Sequence, residues 1–284
     1  MIPYILIALF SISAFYAIVS FLIANGFAMS DRVPVSVTPD IAYENISFRS
    51  YPDNVLLKGW YIPVAGNKTI IVMHGGKQNR SQPGIGLMDL CLALNKQGYS
   101  ILTFDRRGCG QSESAKLGAR SCLDRDFAGA IRFIKDKKGP RENIYLWGTS
   151  IGAVAALSCA AKMDSIRAIV ADSCFADIPE MVDRVMKKAF PAFVVFKPGS
   201  MYMGRQFMGM EKSNPVDNTS RISCPVLFIS GTEDPIIPEE DTYRLFNSSP
   251  SPASRIWMVA GAEHSKSFLT CRREYIDRVT SFLK

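Results

Sequence analysis

The chain has 284 residues, 48% of them apolar and 21% charged, a balance that builds a sizeable core in one large α/β domain and excludes intrinsic disorder. A formal net charge of +7 comes without a nucleic-acid motif or interleaved aromatics, so no nucleic acid is expected as a partner and an anionic bilayer surface is the acidic partner that fits. The seven cysteines, Cys91, Cys109, Cys122, Cys159, Cys174, Cys224 and Cys271, are odd in number and lack metal-ligand spacing, and they read as small reduced core residues.

Residues 1–30 come first in chain order, and from 2 to 27 there is no Lys, Arg, Asp or Glu. At about 1.5 Å per helical residue the stretch crosses roughly 30 Å of hydrocarbon. A single transmembrane anchor is expected, with residues 2–29 in the bilayer. Gly26, Phe27 and Ala28 would suit a cleavage site, but no basic residue precedes the apolar core and that core is longer than a signal peptide needs. Orientation stays open. Arg32 and Arg49, set among Asp31, Asp40 and Glu44, lean slightly toward a cytoplasmic domain. The sequons at Asn45, Asn67, Asn79, Asn218 and Asn247 pull the other way.

Residues 31–45, with Pro34 and Pro39, read as a linker spanning about 20 Å, which would keep the domain of residues 46–284 close to the bilayer. Two strand patterns at 46–50 and 55–62 flank a Tyr-Pro-Asp-Asn turn and predict a hairpin. Apolar strand runs then follow at 69–73, 100–104, 144–147, 168–171, 225–229 and 255–259. Helical patterns stand between and after them at 87–97, 123–137, 151–163, 239–246 and 267–283. The basic run Lys135, Lys137, Lys138 and Arg141 reads as a solvated helix end. An antiparallel start followed by β-α alternation predicts a mostly parallel, doubly wound sheet with helices on both faces.

Residues 175–220 break the alternation. They carry six of the twelve methionines, Met181, Met186, Met201, Met203, Met208 and Met210, together with Phe190, Phe193, Phe196, Tyr202 and Phe207. Adaptable side chains of this kind predict a helical lid over an apolar substrate pocket that touches the membrane interface; the plainer reading is helix packing.

Candidate chemistry sits where strands end. Gly148-Thr149-Ser150-Ile151-Gly152 follows an apolar strand and opens a small-residue helix, a turn that can expose a serine hydroxyl at the top of a sheet, so Ser150 is the candidate nucleophile. Serine-based acyl transfer needs a base, an acid to orient it, and donors for the oxyanion. Only two histidines exist. His264, in the loop between the last strand and the last helix, is the candidate base. Asp234 follows a strand end and is the chosen acid, with its neighbour Glu233 as the obvious substitute and Asp172 as a less favoured one. His74-Gly75-Gly76 follows the strand at 69–73. There Gly76 and the residue after the serine, Ile151, are expected to supply oxyanion-hole amides, with His74 bracing the loop.

Together His74-Gly75-Gly76, the Asp105-Arg106-Arg107-Gly108-Cys109-Gly110-Gln111-Ser112 stretch, the serine turn, the Gly231 loop and Gly261-Ala262-Glu263-His264 resemble the successive signatures of the α/β-hydrolase superfamily. The resemblance covers about residues 42–284 and is nearest the serine-aminopeptidase-like and monoacylglycerol-lipase-like branch, some of whose members carry an amino-terminal membrane anchor. It implies an eight-stranded α/β-hydrolase fold, a Ser150, Asp234, His264 triad, a lid after the sixth core strand, and no metal or organic cofactor. The function to expect is a membrane-anchored serine hydrolase acting on carboxylic esters with an apolar acyl group. A thioesterase or aminopeptidase on the same triad is the alternative, and a membrane-tethered binding module without catalysis is less favoured.

Overall fold

A computed structural model of the chain describes residues 1–29, 32–189 and 191–284; Ser30 and Asp31, of the expected anchor and linker, and Phe190 of the Met-rich segment lie outside the described residues. The first strand, β1 (Glu44–Arg49), buries only Phe48, as an edge strand with wet surroundings does. β2 (Leu56–Ile62) pairs antiparallel with it, completing the expected hairpin. Continuous apolar runs form β3 (Lys68–Met73), β4 (Ser100–Phe104), β5 (Asn143–Thr149), β6 (Ala168–Asp172) and β7 (Val226–Gly231), buried at nearly every position. Parallel strands covered on both faces require that pattern. β8 (Arg255–Val259) closes the far edge.

The spatial order is β1-β2-β4-β3-β5-β6-β7-β8, antiparallel at β1/β2 and β2/β4 and parallel from β4 to β8. The chain winds outward from β3 to β4, then reverses to β5 on the other side of β3. Ligands of open α/β sheets bind outside the carboxyl ends of strands at such a reversal. α2 (Leu87–Lys96) packs with α10 (Arg272–Phe282). A second group joins α3 (Asp124–Lys138), α4 (Ile151–Ala160), α7 (Pro215–Thr219) and α8 (Glu239–Ser248). A core that includes Trp60, Val72, Leu94, Trp147, Tyr275 and Val279 joins the sheet to α2 and α10. The helical pattern expected over 267–283 divides at Cys271, whose φ of −144° interrupts the helix, into α9 (Ser267–Thr270) and α10.

By internal packing the chain divides into two compact units. One is discontinuous and helical, formed by residues 1–29, 115–122 and 178–212; the rest of the described chain, with the sheet, forms the other. The helical unit holds α1 (Ile2–Ala28), α5 (Ile178–Ala189), a 3-10 segment at Pro191–Phe196 and α6 (Lys197–Phe207). α1 is long and apolar enough to cross a membrane. Met186 and Met201 pack with Val182, and Met208 with Ala24 and Ala28, so part of the methionine enrichment is the core of this unit.

Candidate active site

The serine turn is built by close approach. A Cβ at Gly148 would lie 2.3 Å from the Gly152 carbonyl oxygen, and one at Gly152 would lie 2.5 Å from the Met73 oxygen and 2.8 Å from that of His74. Only glycine lets β3, β5 and the start of α4 converge so tightly. Between these glycines Ser150 holds φ 53° and ψ −122°, a strained conformation for a residue with a side chain, and its amide donates to the Asp172 carbonyl at 2.9 Å.

The loop after β3 lies beside this turn. A Cβ at Gly75 would stand 3.7 Å from the Ser150 Cβ, and one at Gly76 would stand 4.0 Å from the Ile151 Cγ2. The Gly75 amide is taken by the Gln82 Oε1 at 3.0 Å, which leaves Gly76 as the next amide along the loop. Ile151 is the first residue of α4, so its amide has no acceptor within the helix and sits at the positive end of the helix dipole.

His74 is fully buried. Its Nε2 accepts the Arg106 amide at 3.2 Å, so Nδ1 carries the proton and donates to the Gly75 carbonyl at 2.8 Å. Burial first, and then the Arg106 charge, lower its pKa to about 3, and a neutral ring held at both nitrogens braces the loop.

His264 and Asp234 meet at the same sheet edge. Asp234 Oδ1 accepts the amides of Ile236 at 2.8 Å and Ile237 at 2.9 Å, and Oδ2 stands 2.7 Å from His264 Nδ1. The Asp234 carboxylate is wholly buried while the His264 ring is 21% exposed. Glu233, the alternative acid, is exposed. The serine turn and the histidine loop are joined by the residues next to the two candidates: Thr149 Oγ1 donates to Ser265 Oγ at 2.7 Å.

Behind that junction lies a buried network that the sequence did not disclose. Asp172 Oδ1 accepts from Ser173 Oγ at 3.0 Å and Ser267 Oγ at 3.2 Å, and Oδ2 accepts from Tyr275 Oη at 2.9 Å, which in turn accepts from Trp147 Nε1 at 3.0 Å. Ser173 Oγ also accepts the Ser265 amide at 2.9 Å, so Asp172 supports the histidine loop without pairing with His264. Burial pushes its pKa up to about 6 against the pull of these hydrogen bonds. Ser173 and Ser265 share positive φ, 52° and 61°, with Ser150, and three strained serines therefore gather at one sheet edge. The only sequence signal for this network was Asp172 at a strand end.

The Asp105 to Ser112 stretch is a structural clasp. Asp105 receives the Arg80 amide and guanidinium, each at 2.7 Å, and the Gln111 amide at 2.9 Å. A Cβ at Gly110 would fall 2.2 Å from Asp105 Oδ2. Arg107 bridges Asp53 and Asp126 at 2.6 and 2.7 Å.

The chain is similar in sequence and fold to known proteins. The sequence profile of the family described as serine aminopeptidase, S33, matches residues 66–214, which includes His74 to Gly76 and the serine turn and ends before Asp234 and His264. An uncharacterized protein, YfhR, of Salmonella typhi is 28% identical over 263 residues, covering 86% of this chain and 82% of that protein. The lysophosphatidylserine lipase ABHD12 of Xenopus tropicalis is 28% identical over 227 residues, 77% of this chain and 57% of the lipase. Among solved structures, the Pyrococcus furiosus esterase Pf2001 superposes with a TM-score of 0.75 at 24% identity, covering 90% of this chain and 97% of the esterase, a likeness of fold. With more than half of its length matched by the family profile on an eight-stranded sheet of this order, the chain belongs to the serine aminopeptidase (S33) family of α/β-hydrolases.

Proposed function

We propose that the protein is a single-pass membrane serine hydrolase that cleaves carboxylic esters carrying an apolar acyl group. Ser150 Oγ attacks the acyl carbonyl as His264 Nε2 takes its proton, and the Gly76 and Ile151 amides receive the developing oxyanion. His264 returns that proton to the leaving alcohol. Water, deprotonated by the same imidazole, then releases the acid from Ser150. Asp234 holds the ring with its proton on Nδ1 throughout. No step calls on a metal or organic cofactor. The observation that carries this reading is the His264–Asp234 hydrogen bond, held against the serine turn by Thr149 and Ser265. An apolar acyl group is supported by the lysophosphatidylserine lipase among the relatives. The family's description favours a second reading, an aminopeptidase on the same triad.

A fluorophosphonate probe applied to the full-length protein in membranes is expected to label it, and Ser150→Ala is expected to abolish the labelling. Undiminished labelling of that variant would reject Ser150, and no labelling of folded wild type would favour a binding module without catalysis. Rates on matched esters, thioesters and aminoacyl amides rank the bonds; preference for the amide would replace the esterase by the aminopeptidase.

A further inference from the structure

The helical unit contains the one helix, among the described residues, that is long and apolar enough to cross a bilayer. α1 buries only Ser20, Ala24 and Ala28, one small residue per turn along a single face. That face meets α6. A Cβ at Gly199 would lie 2.2 Å from Ser20 Oγ and 2.7 Å from the Tyr16 ring, so the two helices touch nearly backbone to backbone. The Tyr16 hydroxyl donates to the Val195 carbonyl and accepts the Gly199 amide, both at 3.2 Å. Phe196 packs on Phe15 and Tyr16 at ring-centroid distances of 6.2 and 5.1 Å, and Phe207 stands 6.3 Å from Phe21. Met208 closes the contact on Ala24 and Ala28. α6 therefore runs alongside the second half of α1.

Depth follows from a charge. The Arg120 guanidinium hydrogen-bonds Asn25, and in a spanning α1 that end would stand at the headgroup level, where a guanidinium is hydrated. Tyr16 lies about two and a half turns earlier, roughly 13 Å deeper along the axis. The segment at that depth, Pro191–Phe196, reads Pro-Ala-Phe-Val-Val-Phe, carries no polar side chain and buries none of its residues. Phe193 and Val195 are 44% and 64% exposed. Lys197, which follows it, and Lys187 on α5 are both paired with Asp183, at 3.1 and 2.7 Å. Irregular backbone is tolerated at membrane depth where protein supplies its hydrogen bonds, and Tyr16 does so at Val195 and Gly199.

We propose that Pro191–Phe196 is a re-entrant tip that enters the acyl layer beside α1, and that the hydrolase takes a lipid ester whose acyl chain is still in the bilayer. The occupant of this exposed apolar surface is lipid, continuous with the lipid around α1. This inference rests on the reading of α1 as a retained span and of the enzyme as an esterase, and the experiment separates it from both.

Full-length Phe193→Trp protein, reconstituted in phosphatidylcholine vesicles, is examined with lipids brominated along the acyl chain. The added tryptophan emission is expected to be quenched, beyond the quenching of wild type. Phe193→Asp/Val195→Asp protein is expected to keep its fluorophosphonate labelling and its rate on a soluble short-chain ester within about twofold. Its rate on a long-chain fluorogenic ester dissolved in the vesicles is expected to fall roughly tenfold or more. Absence of extra quenching overturns the tip, and an undiminished vesicle rate overturns its role in substrate capture. Loss of both rates together with labelling means an unfolded variant, and Phe193→Ser/Val195→Ser then takes its place under the same two criteria. Failure of the esterase reading shows separately, as wild type without ester hydrolysis, and failure of the retained span as mature protein lacking residues 1–29.

Discussion

Asp234 uses both carboxylate oxygens, one on the amides of Ile236 and Ile237 and the other on His264 Nδ1. The first pair fixes the carboxylate, and the carboxylate then fixes the imidazole in the tautomer whose Nε2 lone pair can accept a proton. Asp234→Asn keeps an oxygen for the two amides but presents an NH2 to Nδ1, which turns the ring or moves its proton to Nε2. The turnover number on a soluble ester is expected to fall about 10³- to 10⁴-fold with little change in thermal midpoint. Glu233→Gln, an exposed change on the adjacent residue, is expected to stay within about twofold. If Asp234→Asn remained within tenfold of wild type, or Glu233→Gln cost as much, the acid would have to be reassigned.

At the scale of elements, glycines set how near β3, β5 and α4 come. Gly152→Ala would drive a methyl group against two backbone oxygens at the end of β3, which no side-chain rotation relieves. It is expected to cost on the order of 3 kcal/mol, seen as a lower unfolding midpoint and poor yield of folded protein. Gly76→Ala meets nothing nearer than 4.0 Å and keeps its amide, so stability and ester turnover are expected to stay near wild type. Equal tolerance at both positions would mean that the Met73 and His74 carbonyls can retreat from α4. The elements themselves were legible because β3 to β7 are continuous apolar runs whose ends coincide with Gly, Ser and Asp, and because Asp234 and His264 follow strands that the alternation had already placed. Tertiary partnership was not. Asp172, Ser173, Ser265 and Tyr275 follow no period in the sequence, and nothing local to Gly199 announces that its missing side chain makes room for Ser20. The break at Cys271 escaped for the same reason, since Ser267 in the short α9 is held by Asp172, a strand away.

Folding stability of the whole molecule should carry two buried titrations of opposite sense. His74, at about 3 against an ordinary 6.5, is neutral when folded, so the unfolded chain binds the extra proton between those limits. Its contribution is complete above pH 6.5 and is lost as pH falls toward 3. Asp172, at about 6 against 3.8, binds the extra proton when folded, so its contribution is present below about pH 4 and is lost as pH rises through 6. The two slopes oppose and nearly cancel between about pH 4 and 6, each group alone changing stability there by at most about 1.4 kcal/mol per unit. Denaturant unfolding of the full-length protein in detergent across that range is the measurement. His74→Asn is expected to lower stability at pH 7 through its lost hydrogen bonds, and to make stability fall as pH rises between 4 and 6, because the Asp172 titration is then unopposed and protonation no longer breaks the bond from the Arg106 amide. Asp172→Asn is expected to steepen the slope by removing the opposing titration. An unchanged slope in His74→Asn would mean that the ring is already charged or already solvated in the folded state, and the bracing of the Gly75 and Gly76 loop by a neutral imidazole would fall with it.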